Sequence, residues 1–179
     1  MNDYEFEQFV QENGNDILNF CKMQTMNVEY GNELYQDTML KLLEKQRMLD
    51  SSQNVKAYAL SVAILLWKNK RKKYFIRNKI ASFRSLDEIM TTDQSLLEDT
   101  IVPSPEGNIL EVEEVKLVQS IIAGLPEKFK IPILLYYSSN MKIDEIADCM
   151  KKSPNTVKTR LRRAKSIIKE KLEALGYDR

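Results

Sequence analysis

The side chains best suited to recognition chemistry lie between positions 153 and 165. They are polar or cationic and can donate hydrogen bonds to bases and phosphates: Asn155, Thr156, Lys158, Thr159, Arg162, Arg163 and Lys165. Arginine and lysine donate to guanine, asparagine pairs with adenine, and threonine can contact either base or a thymine methyl. Cations beside them would neutralise phosphates. A solvated helix face could carry the same charge, but the combination favours binding to DNA.

Catalytic chemistry finds little support in the sequence. Histidine, the commonest general base and metal ligand, does not occur among the 179 residues. The two cysteines, Cys21 and Cys149, lack the spacing of a metal site and lie among apolar residues, so we expect buried free thiols. The acidic residues form no carboxylate cluster that could hold a catalytic metal. We therefore expect a protein that is not an enzyme and has no cofactor or metal.

The DNA-binding side chains must be positioned by a helix. The sequence predicts this helix and a second helix that precedes it and packs against it. Two sets of apolar residues at helical spacing flank a turn of about four residues: Ile143, Ile146, Ala147 and Met150 before it, and Val157, Leu161, Ala164 and Ile168 after it. Ser153 can cap the second helix, and Pro154 fits its first turn. Residues 142–165 are therefore predicted to form a helix-turn-helix.

The rest of the chain is predicted to be all-α, with two small helical domains joined by a flexible acidic linker. Helices are expected over Tyr4–Met26, over Asn32–Lys45 with Tyr35, Met39, Leu42 and Leu43 on one side, and from Asn54 onward, where Val62–Trp67 is buried on more than one side. Eight cations without an acid follow over Lys68–Arg84, then nine acids without a base over Ser85–Val115. We place the domains at 1–84 and 109–179, with the linker at 85–108.

Two positions depart from simple helical patterns. Pro132 would remove a hydrogen bond and clash with the carbonyl of Lys128 inside a helix, so we expect a short turn at 126–130 and a helix from Ile131 to Tyr137. Lys151 occupies the turn of the predicted helix-turn-helix; either a positive φ is tolerated there at modest cost, or the turn is shaped differently.

The location of the protein is predicted from what the chain lacks. No apolar run approaches the roughly 20 residues that span a bilayer. Asp3 and Glu5 stand where a secretory signal would carry cations. We expect a cytoplasmic protein that does not bind membranes.

Three stretches of the C-terminal half resemble a known family. Leu125–Phe129, Ile143–Ala147 and Asn155–Lys165 are similar to the promoter-binding domain of bacterial sigma factors, and the short extracytoplasmic-function type matches best in size and layout. In the N-terminal half, Glu33–Lys41 resembles the family's polymerase-binding helix and Val55–Lys73 its promoter-melting helix. The resemblance implies a protein that binds core RNA polymerase and promoter DNA and directs transcription initiation, without a small-molecule substrate. It leaves open whether an anti-sigma factor binds the protein.

The resemblance also implies roles for particular residues. The cationic helix at 155–165 would read the minus-thirty-five element. The side chains implied to bind polymerase are Glu33, Gln36, Asp37 and Lys41. Those implied to bind DNA in the minus-ten region are Asn54, Trp67, Lys68, Lys70, Arg71, Lys72, Lys73 and Arg77.

Some assignments have alternatives. The loop at 48–54 could capture a flipped base or could simply cap a helix. Trp67 could lie in the core or contact the melted strand, and Ile64–Leu65 replaces the Arg-Asn pair that is frequent in the family. The alternative function is a helix-turn-helix regulator that binds DNA without being a polymerase subunit. Such a regulator would need a ligand pocket or a dimerising helix in residues 1–84.

Overall fold

The computed structural model describes the backbone of residues 1–82 and 109–177, with side chains at 1–73 and 114–177. The described residues form seven α-helices and one 3₁₀ turn at Gln46–Met48. The helices are α1 (Asp3–Thr25), α2 (Val28–Glu44), α3 (Val55–Ser82), α4 (Ile109–Ala123), α5 (Glu127–Tyr137), α6 (Ile143–Met150) and α7 (Pro154–Ala174). The predicted all-α class is confirmed. The linker predicted at 85–108 lies outside the described residues.

The first two helices form a hairpin whose ends are set by asparagine caps. Asn2 accepts a hydrogen bond from the backbone N–H of Glu5 at 2.8 Å, and Glu5 accepts one from the N–H of Asn2 at 2.7 Å. Asn27 caps α2 by accepting from the N–H of Tyr30 at 2.9 Å. The helices then approach so closely at Gly31 that a Cβ there would lie 2.6 Å from the Cα of Lys22.

The buried face of α2 differs from the predicted one. Leu34, Thr38 and Leu42 are fully buried, and the Thr38 hydroxyl meets its hydrogen-bonding need by donating to the carbonyl of Leu34 at 2.7 Å. Leu43 is 51% exposed, so its placement in the apolar stripe is wrong. The buried stripe runs through the close contact at Gly31, which places Leu43 on the outer side.

In α3 the expected burial of Val62–Trp67 is only partly confirmed. Val55, Ala59 and Ala63 are buried, and most of Val62–Trp67 packs against the core. Leu65 is 57% exposed, which contradicts its expected burial. The adjoining helices cover other sides of α3 and leave this position open to solvent.

In the C-terminal half, one prediction is wrong and one predicted motif is confirmed. α5 is continuous through Pro132 from Glu127, so the expected break at 126–130 does not occur. Proline removes only the bond to the Lys128 carbonyl, and the complete burial of neighbouring apolar side chains stabilises the helix. α6, a tight turn and α7 form the predicted helix-turn-helix, and of the two alternatives for Lys151 the structure has the positive φ, at 50°.

The N-terminal and C-terminal halves pack against each other in one continuous apolar core. α3 contacts α6, and α1 contacts both α4 and α5. Within the described ranges, no helix has the length and apolar character needed to cross a bilayer. The cysteines Cys21 and Cys149 are free and buried as predicted, and burial raises the pKa of each thiol to about 12.

Candidate nucleic-acid interface

One side of the helix α7 packs against the rest of the protein, and the opposite side is exposed to solvent. The Ser153 hydroxyl accepts a hydrogen bond from the backbone N–H of Thr156 at 3.2 Å, which confirms the predicted N-cap. Val157, Leu161 and Ala164 are buried. The helical period therefore turns a cationic face to solvent, and its exposed members are Asn155, Lys158, Thr159, Arg162, Arg163 and Lys165.

The cations of this face differ in their present contacts. Lys158 and Arg162 form no ion pair within the part of the chain that the structure describes. Arg163 lies 3.9 Å from Glu170 across exposed surface. Lys165 lies over the rings of Tyr136 and Tyr137, which the sequence reasoning did not include in the site. Lys158 and Arg162 are thus available to a ligand without breaking an internal contact.

Only some of the cationic side chains between Lys68 and Lys73 of α3 are exposed and unpaired in the described structure. Lys68, Lys72 and Lys73 are exposed. Lys70 is ion-paired at 2.8 Å with both Glu33 and Asp37 of α2, so the structure joins residues that we had assigned to two different partners.

Acidic side chains of neighbouring helices affect two of these α3 cations, Lys70 and Arg71. Burial lowers the pKa of Lys70, but hydrogen bonds and charge interactions with Asp37 and Glu33 outweigh it, so the pKa is raised overall. Arg71 pairs with Glu127, the first residue of α5. The side chain of Arg77 lies outside the described residues.

The residue at the start of α3 links the two halves. Asn54 accepts a hydrogen bond from the backbone N–H of Ala57 at 2.8 Å, which is a helix cap. Its amide nitrogen donates to Glu145 of α6 at 2.7 Å, and the other oxygen of Glu145 accepts from the N–H of Lys142. Both ends of the Asn54 side chain are therefore engaged in this arrangement.

The aromatic residues of α3 lie at its surface. Trp67 is half-buried and packs against the apolar core. Tyr58, which lies nine residues earlier on the same helix, is also only half-buried. Trp67 can therefore hold the helix in place and still offer an edge to a bound strand.

The outer face of α2 mixes polar and apolar side chains. Glu33, Gln36 and Lys41 are exposed, and Lys41 pairs with Glu44 at 2.6 Å. Leu40 and Leu43 lie beside them at 55% and 51% exposure. The sequence reasoning missed both leucines because it sought only polar contacts here. Exposed leucines ringed by polar groups have the composition of a protein interface.

Comparison with known proteins agrees with this geometry. Residues 116–168 match the family model described as "Sigma-70, region 4", a range that includes the helix-turn-helix. Across 89% of this chain, the sequence is 22% identical to the ECF RNA polymerase sigma factor SigW of Bacillus subtilis, of which the match covers 84%. The chain is thus similar to an extracytoplasmic-function sigma factor over most of its length, and its C-terminal part matches sigma-70 region 4.

Other similar proteins match different shares of the chain. The probable RNA polymerase sigma factor RfaY of Xanthomonas campestris is 31% identical over 70 residues, which are 39% of this chain and 18% of RfaY. The sigma factor RpoE, solved in complex with the anti-sigma factor NepR from Bartonella quintana, has a TM-score of 0.71 at 18% identity and covers 97% of this chain and 98% of its own. CnrH, in complex with the cytosolic domain of CnrY, has a TM-score of 0.65 at 16% identity, with 97% and 90% covered. These two likenesses show a shared fold.

Metal sites and ligand pockets are the two other kinds of site that bear on function. The described residues contain no group of three or more acidic or cysteine side chains placed to hold a metal ion. A groove of about 470 Å³ opens between α1, α4, α5 and α7, and Met23 alone of its lining residues comes from the N-terminal half. This groove therefore lies almost entirely in the C-terminal half and is not a ligand pocket within residues 1–84.

Proposed function

We propose that this protein is a sigma factor of the extracytoplasmic-function type, which binds core RNA polymerase, recognises promoter DNA at two elements and directs promoter melting and transcription initiation. The observation that carries the proposal is the exposed cationic face of α7, held on a helix-turn-helix by three buried side chains. The polymerase performs the chemistry, and the sigma factor needs no cofactor or catalytic group. It would act in the cytoplasm, where polymerase and chromosome meet.

The upstream element is assigned to α7. The major groove of B-DNA admits one α-helix, and base edges there present a distinguishable pattern of donors and acceptors. Lys158 and Arg162 are exposed and free of ion pairs in the described structure, so we assign them to base edges together with Asn155. Thr156, Thr159, Arg163 and Lys165 flank them and are assigned to phosphates and to neighbouring bases.

The minus-ten region is assigned to α3. Lys68, Lys72 and Lys73 project into solvent and would neutralise phosphates of the melted strand. Trp67 is assigned to a stacking contact through its accessible edge. Asn54, Lys70, Arg71 and Arg77 complete the proposed set, although the first three are engaged by acidic side chains in this arrangement.

The polymerase-binding surface is assigned to the outer face of α2. We place Leu40 and Leu43 at its centre, because apolar side chains at the middle of an interface contribute most when water is excluded from them. Polar residues form the rim: Glu33, Gln36, Asp37 and Lys41.

An anti-sigma factor is a further candidate partner. RpoE was solved with the anti-sigma factor NepR, and CnrH with the cytosolic domain of CnrY, and both share this fold. We infer that a regulator of this class could bind this sigma factor too.

In vitro transcription tests the proposed function. Purified core polymerase is supplied with genomic promoter fragments, with and without this protein, and start sites are mapped. We expect initiation at defined sites only when the protein is present. Replacing Leu40 and Leu43 by aspartate should abolish initiation and polymerase binding, whereas Tyr4→Asp, a control at another exposed apolar residue, should not. A regulator would instead bind DNA tightly alone and leave core polymerase inactive at every fragment.

A further inference from the structure

The ammonium group of Lys70 has different surroundings from those of the other lysines between positions 68 and 73. It lies 2.8 Å from Oε1 of Glu33 and 2.8 Å from Oδ2 of Asp37, and both acids belong to α2. The Lys70 side chain is 33% exposed, but its Nζ atom presents less than 1 Å² to solvent. A lysine binds phosphate through the protons of this nitrogen. In this arrangement Lys70 therefore has no accessible donor for DNA.

The neighbouring lysines of α3 are accessible. Lys68, Lys72 and Lys73 are exposed and form no ion pair within the described part of the chain. Lys72 lies two residues from Lys70, which is about 200° around the helix axis, so it projects to nearly the opposite side of α3. Helical geometry therefore gives Lys70 to α2 and leaves Lys72 to solvent.

The two acids that Lys70 contacts would repel each other without it. Glu33 and Asp37 are four residues apart on α2, and like charges at this spacing destabilise a helix. Lys70 bridges one oxygen of each carboxylate, and neither carboxylate has another partner within the described residues. The side chains of Glu33 and Asp37 remain 57% and 42% exposed. Lys70 thus holds two accessible carboxylates side by side.

A fixed pair of carboxylates is suited to a cationic partner. Long acidic side chains lose rotamer freedom when a partner binds them, and holding them in place beforehand reduces that cost. Arginine and lysine of the partner can donate to such a pair, arginine through two parallel hydrogen bonds. The exposed Leu40 follows Asp37 by three residues, so the acid pair adjoins the apolar part of the same α2 face.

We propose that Lys70 is a positioning residue of the polymerase-binding surface: it holds Glu33 and Asp37 together as a paired acceptor for an arginine or lysine of the polymerase, and it does not contact phosphate. The inference rests on the proposed function, because α2 binds polymerase only under it. It narrows the set assigned to the minus-ten region by one residue. The exposed lysines of α3 keep their place in that set.

Polymerase affinity is the first readout. Lys70→Met keeps most of the apolar stem and removes the charge, and the variant is titrated with purified core polymerase. We expect binding to weaken about 3- to 10-fold, since the two partly exposed ion pairs that fix the acids are lost. Lys70→Arg can still bridge two carboxylates and should restore most of the affinity. Lys72→Met is the matched variant, because it removes an accessible lysine of the same helix and should cost no polymerase affinity.

The salt dependence of DNA binding is the second readout. A single-stranded minus-ten oligonucleotide is titrated with assembled holoenzyme at several salt concentrations. Each phosphate contact with a single strand contributes about 0.7 to the slope of log K against log salt. We expect Lys72→Met to lower this slope by about 0.7 and Lys70→Met to leave it at the wild-type value. The two lysine variants should therefore show opposite patterns in the two readouts.

A double-mutant cycle shows whether Lys70 acts through the two acids. In a chain that carries Glu33→Gln and Asp37→Asn, Lys70→Met should cost no further polymerase affinity, because the carboxylates that it positions are gone. If Lys70→Met weakens binding as much in this background as in the wild type, Lys70 acts through other groups and the proposal is wrong.

Two other results would overturn the proposal. One is wild-type polymerase affinity in Lys70→Met, and the other is a DNA-binding slope that falls by about 0.7 in this variant, which would make Lys70 a phosphate contact. In vitro transcription separates these failures from failure of the proposed function. If the wild type directs initiation and Lys70→Met behaves like Lys72→Met, only the positioning role is wrong. If the wild type neither binds core polymerase nor directs initiation, the proposed function itself fails.

Discussion

Replacing Arg162 by alanine is the sharpest test of the α7 assignment. Arg162 is exposed, and the structure shows it free of ion pairs among the described residues, so its truncation removes no internal contact. Arg160 lies on the same helix two residues earlier, about 200° around the axis, and is half-buried. It is a control of the same charge on nearly the opposite side.

The expected size of the effect follows from the kind of contact. A bidentate arginine–guanine pair contributes about 1–3 kcal/mol of discrimination. At 25 °C this range corresponds to a loss of roughly 5- to 150-fold in affinity for the upstream element. If Arg162 contacts phosphate instead, the loss should be similar on every sequence, and the slope of log K against log salt should fall by about 0.9.

Fluorescence anisotropy of a labelled promoter duplex with the polymerase holoenzyme measures both quantities. The duplex is one on which initiation has been mapped, and a second duplex carries a scrambled upstream element. We expect Arg162→Ala to bind the first duplex more weakly and to discriminate less between the two. Arg160→Ala should lose little. Equal losses in the two variants, or no loss in Arg162→Ala, would refute the placement of this face in the major groove.

Three further predictions concern stability. Gly31→Ala should lower the free energy of unfolding by about 1–3 kcal/mol in denaturant titrations because its Cβ would lie 2.6 Å from the Cα of Lys22, whereas Gly124→Ala, with its nearest atom at 3.6 Å, should change it far less. The pKa of Lys130 in the folded protein is about 8, below its value in the unfolded chain, so the unfolded chain binds more protons above pH 8. The free energy of unfolding of the wild type should therefore rise between about pH 8 and 10 relative to that of Lys130→Met. Parallel profiles of unfolding free energy against pH for the two proteins would contradict this. Ser153→Ala should lower stability by about 1 kcal/mol in thermal unfolding through loss of the α7 cap, while Ser153→Asp should restore it.

The helix-turn-helix illustrates what local sequence can determine. Ser153 and Pro154 specify a helix start by their own chemistry, and the spacing of Val157, Leu161 and Ala164 specifies which side is buried. These signals act over a few residues, so the exposed cationic face could be predicted without knowing the rest of the fold. The asparagine caps of α1 and α2 are equally local.

The errors have a common physical cause. Leu43 and Leu65 have apolar side chains, and apolar spacing alone predicted their burial, but a neighbouring helix must be present to cover them. Pro132 has no backbone N–H and so cannot donate the helical hydrogen bond to the carbonyl of Lys128, yet burial of the residues around it stabilises α5. In each case the local structure depends on what packs against the residue. The neighbouring residues in the sequence do not contain that information.

The sequence by itself determined the helical class, the two cationic surfaces and the helix that presents the second of them, because caps and periodicity operate within one or two turns. Only the tertiary structure decided that the halves pack together, that Lys70 pairs with the acids of α2, and that Glu127 and Glu145 engage Arg71 and Asn54. These pairs join residues from 33 to 91 positions apart along the chain. A contact across such distances forms only when helices far apart in sequence are brought together by a shared apolar core.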